Sequence, residues 1–107
     1  MVIGGSGGSR IISAVAQTII RSQIFHRNVK EAVDAPRLHN QFIPNITEFE
    51  TNIPSTIIDN LQSDYHQTFT PITIQESVIQ AITVEEDGLI HANSDFRRRT
   101  SANPSGY

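Results

Sequence analysis

The stretch that decides the fold reads GGSGGSRII at residues 4–12, and it contains four of the six glycines of this 107-residue protein. A short β-branched run at residues 2–3 precedes it, and an amphipathic segment over residues 10–25 follows it. Apolar residues recur in that segment at spacings of three and four, which places them on one face of a helix. They are Ile11, Ile12, Val15, Ile19, Ile20 and Ile24. The order predicts a strand, a glycine turn and a helix.

The glycine stretch has more than one interpretation. Its composition is that of a flexible linker. A glycine turn at a helix N-terminus also presents unpaired backbone N–H groups, which bind a phosphate or a catalytic oxyanion. The stretch lacks the Gly-Lys-Ser/Thr ending of a P-loop and the Gly-x-Gly-x-x-Gly spacing, which argues against phosphate. Ser6 lies at the centre of a Gly-x-Ser-x-Gly pattern, but its surroundings do not resemble an α/β-hydrolase.

Further along the chain, the sequence predicts two more helices and several strands. Asn28, with Glu31 three residues later, forms a capping-box pattern, and Pro36 ends the helix that they begin. Pro54 suits the first turn of a third helix, which continues to about residue 66. The other segments predict a loop over residues 38–44, strands over 46–50, 68–74, 77–84 and 89–93, and a hairpin turn at Asp87-Gly88.

Composition bounds the class of protein. A chain of 107 residues holds one small core, and a hydrophobic content of 37% makes that core thin. The net charge of −3 gives no field that favours nucleic acid, which is excluded as a partner. The absence of Cys excludes disulfides and thiolate chemistry. No apolar run is long enough to span a bilayer, and residues 1–9 do not resemble a signal peptide, so the chain is either cytosolic or lacks its true N-terminus.

A few polar side chains carry separate hypotheses. The four histidines, at positions 26, 39, 66 and 91, lie in different segments, so the sequence predicts no metal site. Asn45-Ile46-Thr47 is an N-glycosylation sequon. Asp95 lies two residues before Arg97, and we expect an ion pair there that fixes a turn of the chain. From Arg98 onward the sequence is polar and predicts a flexible tail.

Taken together, six segments resemble the C-terminal part of the small subunit of the γ-glutamyltransferases, the glutathione hydrolases. The resemblance covers essentially the whole chain and removes the linker interpretation, because the family has its own Gly-Gly pair at this place. The matching segments are residues 4–12, 31–41 (EAVDAPRLHNQ), 44–47, 80–82, Ser94-Asp95-x-Arg97, and the terminal Gly106-Tyr107.

The resemblance implies a fold as well as an activity. The expected fold class is α+β, as part of the αββα four-layer sandwich of an N-terminal nucleophile hydrolase that is incomplete in this chain. Residues 1–97 would form the C-terminal portion of the small-subunit domain, and residues 98–107 would form its polar tail. The strands over 77–84 and 89–93 are then expected to lie at open sheet edges, because their pairing partners would belong to the missing part.

The activity that the resemblance implies is cleavage of the γ-glutamyl amide of glutathione and its conjugates. An N-terminal Thr attacks, a γ-glutamyl-enzyme ester forms, and water, an amino acid or a dipeptide accepts the glutamyl group without any cofactor. Gly7 and Gly8 match the glycines whose backbone N–H groups form the oxyanion hole and contact the substrate. Asn45 matches a glycosylated position, and Asp95 and Arg97 match a motif with a structural role.

The departures from the family pattern matter as much as the matches. The nucleophilic Thr and the groups that hold the substrate lie upstream of the Gly pair in the family, so the chain alone is predicted to be inactive. Its implied partners are the remainder of the small subunit and the large subunit of the same precursor, at the extracellular face of the plasma membrane or secreted. The alternatives are a truncated, non-catalytic relative that acts as a binding or assembly module, and an independent α+β domain that binds an anion.

Overall fold

The computed structural model describes residues 1–73 and 77–99, and it confirms the α+β class. The chain divides into two compact units, one from residues 1–35 and 77–99 and the other from residues 36–73. The predicted division at residue 97 stays a prediction, since residues 100–107 of the predicted tail lie outside the described residues. Within the described ranges, no helix is long and apolar enough to cross a membrane.

The first unit is a three-stranded antiparallel sheet with helices on one face. Its elements are β1 (Val2–Ser6), α1 (Arg10–Ile19) with a following π-helical turn (Ile20–Ile24), α2 (Val29–Asp34), β5 (Val78–Val84), β6 (Ile90–Ser94) and a 3-10 turn (Phe96–Arg98). The strand order is β1-β5-β6, and both helices pack against β5. The core consists of Ala14, Val29, Val33, Ile79 and Ala81.

The pairing of β5 differs from the expectation. This strand was expected at an open edge, but it lies at the centre of the sheet, between β1 and β6. The reason is that β1 extends beyond its two β-branched residues through Gly4, Gly5 and Ser6, which pair with Gln80, Ile79 and Val78. Among residues 1–73 and 77–99, the open edges of this sheet are those of β1 and β6, so the expectation holds for the strand over 89–93 but not for β5. The hairpin between β5 and β6 is confirmed, with Gly88 at a positive φ of 76° in its turn.

Helix α1 is confirmed, but its buried face is not the isoleucine face. Ala14, Thr18 and Ser22 are buried, whereas Ile12 is 78% exposed. Small side chains allow a helix to approach a sheet closely, and the Thr18 hydroxyl is satisfied because it donates to the carbonyl of Ala14 at 2.9 Å. The apolar spacing therefore predicted the helix, and the small residues Ala14 and Thr18 form the part of it that is most deeply buried.

Helix α2 is confirmed in its cap, its buried face and its end. The Asn28 Oδ1 atom accepts a hydrogen bond from the Glu31 N–H at 2.9 Å. The buried residues are Val29, Ala32 and Val33. The helix stops at Asp34, and Ala35 turns to an extended ψ of 144° before Pro36, as the ring of the following proline requires.

The second unit holds a small mixed sheet and one helix. Its elements are β2 (Leu38–His39), β3 (Thr47–Glu50), α3 (Ser55–Tyr65) and β4 (Phe69–Ile72). Strand β3 pairs antiparallel with β2 and parallel with β4, and α3 connects the parallel pair. The predicted loop over residues 38–44 thus contains a two-residue strand, and it ends at a cis Ile43-Pro44 bond.

Candidate functional site

The glycine turn joins the end of β1 to the start of α1. Gly7 and Gly8 both have positive φ, at 128° and 60°. The Gly8 carbonyl accepts the first hydrogen bond of the helix, from the Ile11 N–H at 3.2 Å. A Cβ added at Gly8 would meet nothing within 4 Å, so the backbone conformation, and not a lack of space, requires glycine there. Ser9, the N-cap residue, makes no side-chain capping bond.

Gly5, two residues before Gly7, allows β1 to approach β5 closely, and the sequence analysis did not predict this role. It pairs with Ile79 of β5, the largest fully buried side chain of the described part. A Cβ at Gly5 would lie 2.6 Å from Ile79 Cδ1 and 2.8 Å from the Val78 carbonyl oxygen. Two glycines inside a strand are the signal that points to such a close approach.

The predicted ion pair between Asp95 and Arg97 is confirmed. Arg97 Nη1 lies 3.0 Å from Asp95 Oδ1, and both side chains are fully buried. The Asp95 carboxylate also accepts from the Ile79 N–H at 2.9 Å and from the Arg97 N–H at 3.1 Å. The Asp95 N–H donates in turn to the Ile79 carbonyl at 3.0 Å. Asp95 therefore holds the same residue of β5 that pairs with Gly5.

The Arg97 guanidinium reaches the C-terminal end of α2. Nη1 donates to the Val33 carbonyl and Nη2 to the Ala35 carbonyl, each at 3.1 Å. The last carbonyls of a helix have no partner within the helix and carry partial negative charge, so a buried cation satisfies them and complements the helix dipole. Asp95 and Arg97 thus connect the end of β6 to β5 and to the end of α2. These contacts are structural.

Asn45 lies in an exposed loop of the second unit. Its side-chain oxygen accepts from Asn40 Nδ2 at 3.1 Å, and the same amide donates to the hydroxyl of Thr47 at 3.0 Å. Thr47 is buried, whereas the neighbouring Phe42 and Ile43 are exposed. The sequon is therefore accessible at its Asn, and its Thr is held by a side-chain hydrogen bond.

The four histidines lie in different segments, and the side chains of His39 and His91 contact different partners. His91 Nε2 is 3.1 Å from Asp87 Oδ2, and His39 Nε2 is 3.4 Å from Gln41 Oε1. Across residues 1–73 and 77–99, no three His, Asp or Glu side chains are grouped so as to hold a metal ion. The Leu89 N–H, donating to the carboxylate, is the largest cause that lowers the pKa of Asp87 below its ordinary 3.8, and His91 adds to it.

The order of these causes gives a prediction about pH. In a titration of Asp87 followed by NMR, the pKa lies below 3.8 in the native protein and remains lowered in His91→Ala, because the Leu89 N–H still donates. A lowered carboxyl pKa stabilises the fold above the unfolded pKa, and this contribution is lost as the pH falls through the folded pKa. A return to the ordinary pKa in His91→Ala would contradict the ordering.

Comparison with known proteins decides the family. The profile of the gamma-glutamyltranspeptidase family matches residues 1–105. The chain belongs to the gamma-glutamyltranspeptidase family. It is similar to Scoloptoxin SSD14 of Scolopendra dehaani, with 40% identity over 98% of the chain and 18% of that protein. It is also similar to glutathione hydrolase proenzyme 1 of Schizosaccharomyces pombe, with 35% identity over 95% of the chain and 16% of that protein.

Solved structures of the gamma-glutamyltranspeptidase family share the fold. The enzyme from Pseudomonas nitroreducens in complex with L-DON superposes with a TM-score of 0.81 at 27% identity, over 98% of this chain and 55% of that one. The likeness confirms the fold of an N-terminal nucleophile hydrolase, of which the described elements are a part. The chain spans less than a fifth of the two curated relatives and about half of this solved chain.

Proposed function

We propose that this gamma-glutamyltranspeptidase family chain acts as part of a γ-glutamyltransferase, or glutathione hydrolase. The complete enzyme would cleave the γ-glutamyl amide of glutathione and its conjugates through a γ-glutamyl-enzyme ester. Water, amino acids or dipeptides would accept the glutamyl group. The name of the fission-yeast relative, a glutathione hydrolase proenzyme, supports this assignment.

The observation that carries the proposal is the turn at Gly7 and Gly8. Two consecutive positive φ angles place these glycines between the end of a strand and the first turn of a ten-residue helix. Backbone N–H groups at such a place lie in the positive end of the helix dipole. Donors fixed before the reaction stabilise the oxyanion of a tetrahedral intermediate, and this is commonly a large contribution to catalysis. In this proposal the two N–H groups form the oxyanion hole.

The nucleophile would come from outside this chain. In the family it is the Thr at the new N-terminus of the small subunit, upstream of the segment that this chain matches. We therefore infer that the partners are the remainder of the small subunit and the large subunit of the same precursor, and that the 107 residues alone are inactive.

The outer face of the β1-β5-β6 sheet supports this inference about partners. Strand β5 alternates, with Ile79, Ala81 and Thr83 buried and Gln80, Ile82 and Val84 exposed. Across the sheet the exposed positions pair with further apolar residues, which extend the face on both sides. Ile82 lies between Val2 and Ala92, and Val84 pairs with Ile90. A two-sided apolar sheet is typical of a sheet covered on both faces, as in a four-layer sandwich.

The first experiment tests the division of labour. We expect no turnover of a γ-glutamyl anilide by the purified chain, and we expect the transcript upstream of Met1 to encode a Thr-headed segment in frame. An in-frame stop codon before Met1 would instead favour a non-catalytic binding or assembly module, and activity of the isolated chain would show that the nucleophile lies within it.

A second experiment tests the glycine turn in the full-length precursor. Gly8→Ala should lower kcat by at least about tenfold, because a non-glycine residue at a φ of 60° costs roughly 1–2 kcal/mol and displaces the N–H. Gly4→Ala is the matched control, since a Cβ at Gly4 meets nothing within 4 Å. Equal kcat values for the two variants would show that the Gly8 N–H is not part of the oxyanion hole.

We also propose that Asn45 is glycosylated and that the protein is secreted or lies at the extracellular face of the plasma membrane. The exposure of Asn45 supports this. On expression through a secretory pathway, the mass should exceed that of the polypeptide by one glycan, and Asn45→Gln should remove the excess. An unmodified Asn45 in secreted protein would contradict the assignment.

A further inference from the structure

A cleft of about 520 Å³ lies in the first unit, between the end of the π-helical turn and the β5–β6 hairpin. One wall is formed by residues 22–23 and 26–28 and carries His26 and Arg27. The other wall includes the hairpin residues Glu85, Glu86 and Asp87. Pockets of this volume hold small molecules. Because α1 and its π-helical turn separate residue 22 from Gly8, the cleft is about 20 Å from the glycine turn at 1.5 Å per residue.

The charges on the two walls have opposite sign and do not neutralise each other. Arg27 forms no ion pair with a described residue, and neither do Glu85 and Glu86. Asp87, which also lines the cleft, lies 3.1 Å from His91 through its Oδ2 atom. Opposite charges that line one cleft without meeting leave room for a molecule that carries both charges.

The Glu85 side chain adds an independent observation. Its Oε1 atom is buried and has no hydrogen-bond partner among the described residues. Buried carboxylate oxygens are ordinarily satisfied, since an unsatisfied one costs free energy. The hairpin wall therefore contains an acceptor that lacks its donor.

We propose that this charged cleft binds a zwitterionic α-amino acid or short peptide. The ligand carboxylate lies toward Arg27 and its ammonium group toward Glu85 and Glu86. The ligand class follows from the charge pattern, and the proposal does not rest on the oxyanion hole or on any activity of the chain. At this distance from Gly7 and Gly8, the cleft is a separate site.

The test is a titration of the full chain followed by amide shifts in NMR spectra. Glycylglycine should produce saturable shifts at Arg27 and Glu85. N-acetylglycylglycine lacks the ammonium group, and glycylglycinamide lacks the carboxylate; each should bind about tenfold more weakly, the worth of one charge-assisted hydrogen bond. Glycine, titrated in parallel, separates an amino-acid site from a peptide site by its affinity.

Substitutions assign each wall to one end of the ligand. Arg27→Gln should weaken glycylglycine about tenfold and leave glycylglycinamide unchanged, because the amide has already lost the group that Arg27 binds. Glu85→Gln should show the same pattern with the acetylated peptide. Arg98→Gln removes the same charge from an exposed residue outside the cleft and serves as the matched control. The proposal is wrong if no shift saturates, if the blocked peptides bind equally well, or if Arg98→Gln weakens binding as much as Arg27→Gln.

Discussion

Arg97→Met should lower the free energy of unfolding by about 3–5 kcal/mol, measured by urea denaturation of the full chain. The substitution removes the guanidinium that pairs with the buried Asp95 carboxylate and that donates to the carbonyls of Val33 and Ala35. Arg97→Lys should restore only part of the loss, because one ammonium group does not reproduce the two-armed guanidinium contact.

Two further variants separate this buried network from a general charge effect. Arg98→Met removes a neighbouring exposed charge and should change the unfolding free energy by less than about 0.5 kcal/mol. The double variant Asp95→Asn, Arg97→Met should cost less than the sum of the single variants, because each single change removes the same interaction. A loss below about 1 kcal/mol for Arg97→Met, or simple additivity, would show that the pair contributes little.

Gly5→Val should lower the free energy of unfolding by about 1–3 kcal/mol, because the added side chain crowds β1 against β5. The added Cβ would lie 2.6 Å from Ile79 Cδ1 and 2.8 Å from a backbone carbonyl oxygen, and the carbonyl cannot move without opening the strand pair. Thermal unfolding monitored by circular dichroism measures the effect. We also expect the β1 amides to exchange their hydrogens with solvent faster than in the unsubstituted chain.

The neighbouring glycine supplies the control for this prediction. Gly4→Ala meets no atom within 4 Å and should be neutral or slightly stabilising, because alanine restricts the unfolded chain more than glycine does. If Gly4→Ala and Gly5→Val destabilise equally, the effect comes from strand conformation, and not from the close approach of Ile79.

Local signals in the sequence predicted local structure well. Asn28, Glu31 and Pro36 specify the start and end of α2 within a few residues of one another, and the structure follows them. The ion pair between Asp95 and Arg97 was predictable for the same reason, since its partners are two positions apart.

Features that depend on distant partners were not predictable in this way. Nothing near residue 97 indicates that its guanidinium binds carbonyls at the end of α2. The central place of β5 depends on β1, near the opposite end of the chain. For α1, apolar periodicity indicated the helix, but the choice of Ala14 and Thr18 over isoleucines as the buried face depends on how closely the sheet approaches. At the candidate site, the glycine pattern indicated a turn at a helix N-terminus and the family resemblance indicated Gly7 and Gly8, whereas the role of Gly5 required the position of Ile79.

The order of strands in the first unit also has a kinetic consequence. The β5–β6 hairpin pairs strands that are joined by a short turn. Strand β1 pairs with β5 across a sequence separation that is most of the length of the chain. Contacts between distant residues form slowly, because the entropy of loop closure opposes them until the contacts are complete. We therefore expect the glycine turn to become ordered late in folding, when β1 joins a hairpin that Asp95 has already fixed. During synthesis, the glycine turn emerges from the ribosome before β5 does, so it cannot reach its final conformation until β5 has been synthesised and has paired with β1.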